Sequence, residues 1–314
     1  MNRPQWTAEL AVTEPAAATL IEGQFSELSP ARVELLGAGW DNTAFRVNDA
    51  FVFRFPRREI AVPLLIAETA LTPALSPRLP LPIPSPRFIG RPAHDYPWPF
   101  AGYPLIPGRA ASGLSDPQKV NNAALLGRFL AALHAIPLRE AMDLGARPDT
   151  MGRLEVGRRT ARAKEELEQI TRLGLIEDPS PFLAILDPAR EYAARCDTLT
   201  HGDLYPQHLL CDHTGRLSGV IDWGDSHIGD PAIDLAIAHT FLPPRAHGAF
   251  AAAYGPIDET TWRMARLRAL WHTLIGIVYA HDIGDTTLLR ECMISLEYIE
   301  QGRNIRSLPQ SVAG

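Results

Sequence analysis

Two carboxylates and an imidazole stand within one short stretch of this chain. Asp203 and His208 belong to His201-Gly202-Asp203-Leu204-Tyr205-Pro206-Gln207-His208, and Asp222 ends the apolar run from Leu217 to Ile221. Phosphoryl transfer asks for a carboxylate beside the acceptor hydroxyl and for separate ligands that hold a divalent cation against nucleotide phosphates. Asp203 is the candidate for the first task, His208 and Asp222 for the second. Thr214-Gly215 supplies the turn that would bring the apolar run back beside the loop.

The pattern goes further than three residues. His201-Gly202-Asp203, His208, Ile221-Asp222-Trp223, Gly229-Asp230-Pro231 and Asp234-Leu235-Ala236 follow one another in order. In that order they resemble the signature of the aminoglycoside phosphotransferase superfamily, and the likeness runs upstream to about Leu20. The interval between Asp203 and His208 equals the one that separates the base aspartate from the metal-binding asparagine in protein kinases. His208 departs from that asparagine and is similar to the HGDLxPxH loop of macrolide phosphotransferases. The resemblance implies an α+β, bilobal protein-kinase-like fold, with an N-lobe antiparallel sheet plus helices over 1–107 and a mostly helical C-lobe over 108–314. It implies Mg2+, ATP or GTP as co-substrate, and a small-molecule hydroxyl as acceptor. Because imidazole suits softer ions than magnesium does, His208 also implies that Mn2+ supports turnover well. Macrolides, aminoglycosides, amino alcohols and sugars all stay open as acceptors.

Two other readings use the same residues. His201, Asp203, His208 and Asp222 together are the right types for a metal cluster that activates water, which would make a phosphohydrolase. A kinase-shaped protein that only binds its ligand is the second, although both Asp203 and Asp222 are present.

The elements that must position these groups begin with a helix capped by Thr13, with Pro15 in its first turn and Ala17, Leu20, Ile21 and Phe25 as its apolar stripe. Three β-like segments follow, Arg32 to Leu36, Thr43 to Asn48 and Phe51 to Phe55, with turns at Gly37-Ala38-Gly39 and Asn48-Asp49. Gly37, Gly39 and Asn42 occupy the place where kinases fold a hairpin over nucleotide phosphates, and an ordinary hairpin turn is the plainer alternative. Arg54 alternates away from Phe53 and Phe55 and stands where a kinase places its phosphate-binding lysine. Glu68, on the amphipathic segment Ile60 to Leu75, is its candidate ion-pair partner. From Pro73 to Pro107 recurrent prolines predict loops and short edge strands. The stretch from Trp98 to Gly108 resembles the last N-lobe strand and hinge, whose backbone carbonyl and amide groups would read the nucleobase, so Phe100 and Tyr103 are candidate nucleotide contacts; a proline-stiffened connector is the plainer alternative.

Beyond Gly108 the pattern turns helical. Leu126, Phe129, Leu130 and Leu133 form a core stripe, with His134 at its end as a packed rather than catalytic histidine, and Glu155 to Arg172 forms a charged helix. Ile233 to Phe241, Trp262 to Tyr279 and Leu288 to Ile299 are the expected closing helices. Asp258, Glu259, Asp282 and Asp285 are offset there by Arg245, Arg263, Arg266 and Arg268, so no acid excess favours a polycation; Trp262, Trp271 and Tyr279 divide between core and acceptor surface. Asp230 and Asp234 are expected to cap or tie the helix near Pro231, while Asp225 and His227 are open between site and surface.

The whole chain sets the outer bounds. With 314 residues, 46% of them hydrophobic, and a formal net charge of −6, the acids and bases interspersed, it offers no basic stripe for nucleic acid and no polybasic membrane patch. Cys196, Cys211 and Cys292 are too scattered for a disulfide framework. No signal-peptide pattern or membrane-length apolar run is apparent, which predicts a cytoplasmic protein of undetermined oligomeric state.

Overall fold

A computed structural model describes residues 8–39, 41–187, 192–302 and 305. The chain divides into two compact units, Met1–Pro107 with Val220–Asp225, and Gly108–Gly219 with Ser226–Gly314. The lobe limits drawn from the sequence put all of 108–314 in one body and did not foresee that six residues around Asp222 group with the first.

The first unit starts with helix α1, Glu14–Glu22, whose Thr13 cap accepts a hydrogen bond from the Ala16 N–H at 3.4 Å. Its five-stranded antiparallel sheet has the order β1-β2-β3-β5-β4, with β1 Val33–Ala38, β2 Asn42–Val47, β3 Phe51–Pro56, β4 Phe88–Gly90 and β5 Phe100–Pro104. Alternation fixes the faces. Phe45, Val47, Phe53 and Phe55 point into an aromatic core with Phe88 and Phe100, and Arg54 points to the opposite side. Phe25 packs on that core from beyond the end of α1. Asn48 and Asp49 both adopt positive φ, at 50° and 55°, the backbone that a two-residue hairpin turn needs to match strand twist.

Three expectations need correction. Gly37 and Ala38 lie in β1, paired with Ala44 and Thr43 after a bulge, so both are strand and not turn residues. The segment Phe100–Pro104 is an interior strand between β3 and β4, because no proline interrupts the ladder from Phe100 to Tyr103. Pro73 sits inside helix α2, Val62–Leu75, in its last turn, where its missing N–H forfeits one i→i−4 bond without preventing the helix. The run Glu59–Arg78 is also, by length and composition alone, apolar enough to cross a membrane. It carries the buried Glu68 in its middle and belongs to this unit.

The second unit opens with β6, Arg109–Ala110. Helices α3 Asp116–His134, α4 Leu138–Asp143, α5 Val156–Arg172 and α6 Ser180–Leu186 lead to strands β7 Thr198–Thr200, β8 Leu209–Cys211, β9 Leu217–Val220 and β10 His227–Gly229. Helices α7 Ala232–Phe241, α8 His247–Tyr254, α9 Glu259–Ile283 and α10 Thr286–Gln301 complete it. Leu126, Phe129, Leu130 and Leu133 are fully buried along α3, and Trp262 and Trp271 are core residues of α9, whereas Tyr279 is partly exposed. β7 pairs antiparallel with β10, Thr200 opposite His227, so the chain leaves β7 directly into His201-Gly202-Asp203. Asp212 Oδ1 accepts the N–H groups of Thr214 and Arg216 and closes the expected turn between β8 and β9, with Gly215 at φ 85°.

Candidate active site

The loop after β7 is held by a buried carboxylate. Asp234 is fully enclosed, and its oxygens accept the backbone N–H of His201 at 2.7 Å and of Gly202 at 2.9 Å. His134 reaches the same carboxylate from α3 at 3.1 Å and is itself bonded to the Tyr254 hydroxyl at 2.8 Å. Burial alone would raise the Asp234 acid. The His134 hydrogen bond, the His134 and His201 charges and the Gly202 N–H outweigh it and hold the acid below its ordinary range. From the sequence Asp234 is expected to tie its own helix; its partners lie instead in the loop after β7 and on α3. Asp230 does cap that helix, accepting from the Ala232 N–H at 2.9 Å.

Within this clamp Asp203 keeps its side chain 30% exposed. Its main-chain carbonyl is 2.8 Å from His208 Nδ1, so that ring nitrogen must carry the proton and the neutral ring's lone pair lies on Nε2. A ring fixed in that way is suited to a metal ion. His201 is fully buried, and its Nδ1 accepts from the Asp203 N–H at 3.3 Å; it shapes the loop and is not presented as a ligand. His227, buried in β10, has its main-chain carbonyl bonded to the Thr200 hydroxyl at 3.0 Å, which places it in the sheet. A small crevice of about 10 Å³, room for one water, lies beside Asp203, lined also by Tyr205, Ile233, Arg268 and His272. Sequence reasoning missed the last two as site residues. Their signal was a charge and an imidazole one helical turn apart in the otherwise apolar run Leu267–Leu274.

The first unit assembles its own polar cluster. Arg54 Nη1 donates to both Glu68 oxygens, at 2.8 and 3.1 Å, and Arg54 Nη2 donates to Asp222 Oδ1 at 2.6 Å. Glu68 is buried, and the Asp222 side chain is 43% exposed. Burial by itself would weaken the guanidinium, but Asp222 and Glu68 overcome that and keep it charged. Burial raises the Glu68 acid, against the pull of Arg54. Tyr103, also buried, sits near this pair; burial first, then the Glu68 charge, pushes its phenol well up. Asp222 holds φ at 67°, a left-handed backbone that aspartate tolerates better than most residues. Two contacts pin its segment: the Val220 N–H to Pro82 O at 2.9 Å, and the buried Trp223 Nε1 to Val220 O at 3.0 Å.

The remaining nucleotide candidates are more dispersed. Gly39 N–H meets Asn42 O at 3.0 Å across the hairpin, and Arg57 Nη1 bonds the Gly39 carbonyl at 2.5 Å. Asn42 Oδ1 is buried with no partner among the described residues, while Gly37 is a strand residue and Trp40 lies outside the described residues. The Phe100 ring is fully buried and stacked on Phe55 at 4.6 Å, so its side chain belongs to the core and a nucleotide contact there falls to its backbone.

Residues 32–270 match the model of the phosphotransferase enzyme family. The chain belongs to this family. Among curated proteins, this family member is 30% identical to viomycin phosphotransferase of Streptomyces vinaceus over 187 residues, 58% of this chain and 54% of that one. It is 32% identical to the uncharacterized protein YcbJ of Bacillus subtilis (strain 168) over 65 residues, 21% of each chain. The chain thus spans about half, or less, of the curated relatives it matches. Among solved structures, the GDP complex of wild-type aminoglycoside 2'-phosphotransferase-IIIa superposes with a TM-score of 0.68 at 25% identity, covering 92% of this chain and 99% of that one. Macrolide 2'-phosphotransferase MphH from Brachybacterium faecium, as apoenzyme, gives a TM-score of 0.54 at 24% identity over 85% of this chain and 91% of its own, a likeness of fold. The α+β kinase-like fold expected from the sequence is the fold of these neighbours.

Proposed function

We propose that this protein transfers the γ-phosphoryl group of ATP or GTP to a hydroxyl of a small molecule. The observation that carries the reading is the loop of Asp203. Its backbone is clamped by the buried Asp234 while the Asp203 carboxylate stays partly exposed, which is what a positioned base requires. In the proposed step the acceptor oxygen forms a bond to the γ-phosphorus as the bond to the β,γ-bridging oxygen breaks. The hydroxyl proton passes to Asp203 and the nucleoside diphosphate leaves. Arg54, oriented by Glu68, steadies the phosphates, and Tyr103 and the 39–42 hairpin contribute to the nucleotide surface.

The residues fit a divalent cation. His208 presents a ring whose tautomer leaves the lone pair on Nε2, and Asp222 is a strained, partly exposed carboxylate with one oxygen on Arg54. Mg2+ or Mn2+, held by Asp222 of the first unit or by His208 of the second, would supply positive charge against the phosphate oxygens. The relative in complex with GDP supports a purine nucleotide, and the viomycin and aminoglycoside enzymes support an antibiotic among the acceptors to be tried.

The phosphohydrolase reading loses ground because His201 is spent inside the loop. The deciding experiment incubates the protein with Mg2+, ATP or GTP, and macrolides, aminoglycosides and simple alcohols, and detects phosphorylated product by mass spectrometry. Asp203→Asn is expected to abolish product while nucleotide still binds. Undiminished turnover in that variant would sink the assignment.

A further inference from the structure

One guanidinium ties the proposed phosphate contact to a proposed metal ligand. Arg54 leaves β3 on the side away from the aromatic core and divides its fork between two acids of the first unit. Nη1 donates to both oxygens of Glu68, at 2.8 and 3.1 Å, and Nη2 donates to Asp222 Oδ1 at 2.6 Å. The Glu68 side chain is wholly buried on α2, whereas that of Asp222 is 43% exposed. The guanidinium is thus anchored at one nitrogen, and its other nitrogen closes on the more accessible carboxylate. Burial works against the positive charge, but the Asp222 charge and then the Glu68 charge keep it in place, so the pair does not open by loss of a proton. Lysine, the residue of kinases at this strand position, gathers its donors on one nitrogen; the arginine fork serves the two acids from separate nitrogens in a fixed geometry.

A cation brought to Asp222 Oδ1 meets a fixed positive charge already bonded to that oxygen, and like charges at a partly buried site repel strongly. Phosphate oxygens are acceptors that suit the same fork, so a phosphate taking Nη2 releases Oδ1 to the cation that accompanies it. We propose that the Arg54–Asp222 pair is a latch that keeps a divalent cation off Asp222 until a nucleotide phosphate draws Nη2 away, so that cation and nucleotide bind together and neither binds well alone. Linkage makes the exclusion reciprocal, since metal-free nucleotide must also draw Arg54 off Asp222. The inference rests on reading Asp222 as a metal ligand and Arg54 as a phosphate contact.

Mn2+ alone is the probe, its binding followed without nucleotide by the loss of the free-ion EPR signal. Wild type is compared with Glu68→Gln and with the double variant Arg54→Gln/Glu68→Gln. The double variant removes one positive and one negative charge, so the local charge is unchanged while the hold on Asp222 is lost, and the paired glutamines keep a hydrogen bond between strand and helix. It is expected to bind Mn2+ about tenfold or more tighter than wild type, a coupling of ordinary size, and E68Q, which leaves Arg54 on Asp222, to show no such gain. Equal or weaker affinity in the folded double variant would overturn the latch. Adding Asp222→Asn to the double variant is expected to remove the gain; a gain that survives it would refute Asp222 as the ligand and so the reading beneath the proposal. Should circular dichroism show the double variant unfolded, the reciprocal measurement decides. Asp222→Asn alone, whose asparagine accepts left-handed backbone, is expected to bind ATP or GTP in EDTA about tenfold tighter than wild type by calorimetry, and unchanged or weaker binding would overturn the latch. Failure of either nucleotide to bind wild type or D222N, with or without Mn2+, would refute the nucleotide site itself.

Discussion

Acid is expected to loosen the second unit well before its carboxylates protonate, because of two histidines under α7 and α8. His239 and His247 are fully buried, their rings 5.1 Å apart and both packed on Trp262. His247 Nε2 bonds the Ala238 carbonyl at 2.9 Å; its Nδ1 and both His239 nitrogens are sealed without partners among the described residues. Burial pushes His247 down from 6.5 to about 4, and burial with the His247 charge lowers His239 well below its usual value. Both folded values lie below the unfolded one, so between about pH 4 and pH 6.5 the unfolded chain holds protons that the folded chain refuses. Stability is therefore complete above pH 6.5 and falls as the pH drops through that window. From 6.5 to about 4, at about 1.4 kcal/mol per tenfold step in proton affinity, His247 alone accounts for a loss of about 3 kcal/mol, of which about 2 is felt by pH 5. That is a large share of a stability of roughly 5–15 kcal/mol. Urea unfolding at pH 7 and pH 5 measures it, and His247→Gln, which cannot titrate, is expected to flatten the difference by about 2 kcal/mol. An unchanged pH slope in H247Q, or an NMR titration with His247 protonating near 6.5, would refute the argument.

Other perturbations reach the proposed site and its frame. Arg54→Met strands Glu68, whose side chain is fully buried, and is expected to cost about 3–5 kcal/mol in urea unfolding and to weaken nucleotide binding by calorimetry, with Arg54→Lys less damaging. Asp234→Asn replaces an acceptor by a donor against the His201 and Gly202 amides and is expected to cost about 1–3 kcal/mol and most of the turnover, read by urea unfolding and by product formation. His208→Asn is expected to lower the ratio of Mn2+-supported to Mg2+-supported rate; an unaltered ratio would remove His208 from the metal site. Gly127→Ala would set a Cβ 2.4 Å from Phe250 O where α3 meets α8, and is expected to lower stability by about 1–3 kcal/mol in thermal melting.

The sequence exposes what is periodic or local and hides what is made by long contacts. Alternation in Phe51–Phe55 was enough to turn Arg54 off the core face, and Thr13, Asn48-Asp49 and Gly215 announced their cap and turns. The Arg54–Glu68 pair was legible because strand and helix follow each other closely. His134 was set aside for want of an acid nearby in sequence, yet its partner Asp234 lies a hundred residues away. Glycines mislead where a strand bulges: the bulge next to Gly37 is set by pairing with β2 and not by local preference. Arg268 looked like one of several balancing charges on α9 until the crevice beside Asp203 showed which face it occupied.

Exposure separates the four acids of the signature into two kinds of work. Asp230, 1% exposed, spends one oxygen on the Ala232 N–H and the other on the Tyr192 hydroxyl and the Arg195 N–H. Asp234, wholly buried, spends both oxygens on the loop and on His134. Carboxylates surrounded by donors in this way cannot take a proton or an ion without breaking the structure around them. Asp203 and Asp222 keep 30% and 43% of their side chains exposed and are held through the backbone, one by the Asp234 clamp and the other by the left-handed turn locked by Trp223. A residue fixed in its main chain while its carboxylate stays accessible is built for exchange of partners. That distinction, which residue type and spacing alone do not draw, is the physical basis for proposing the chemistry at Asp203 and Asp222 and the architecture at Asp230 and Asp234.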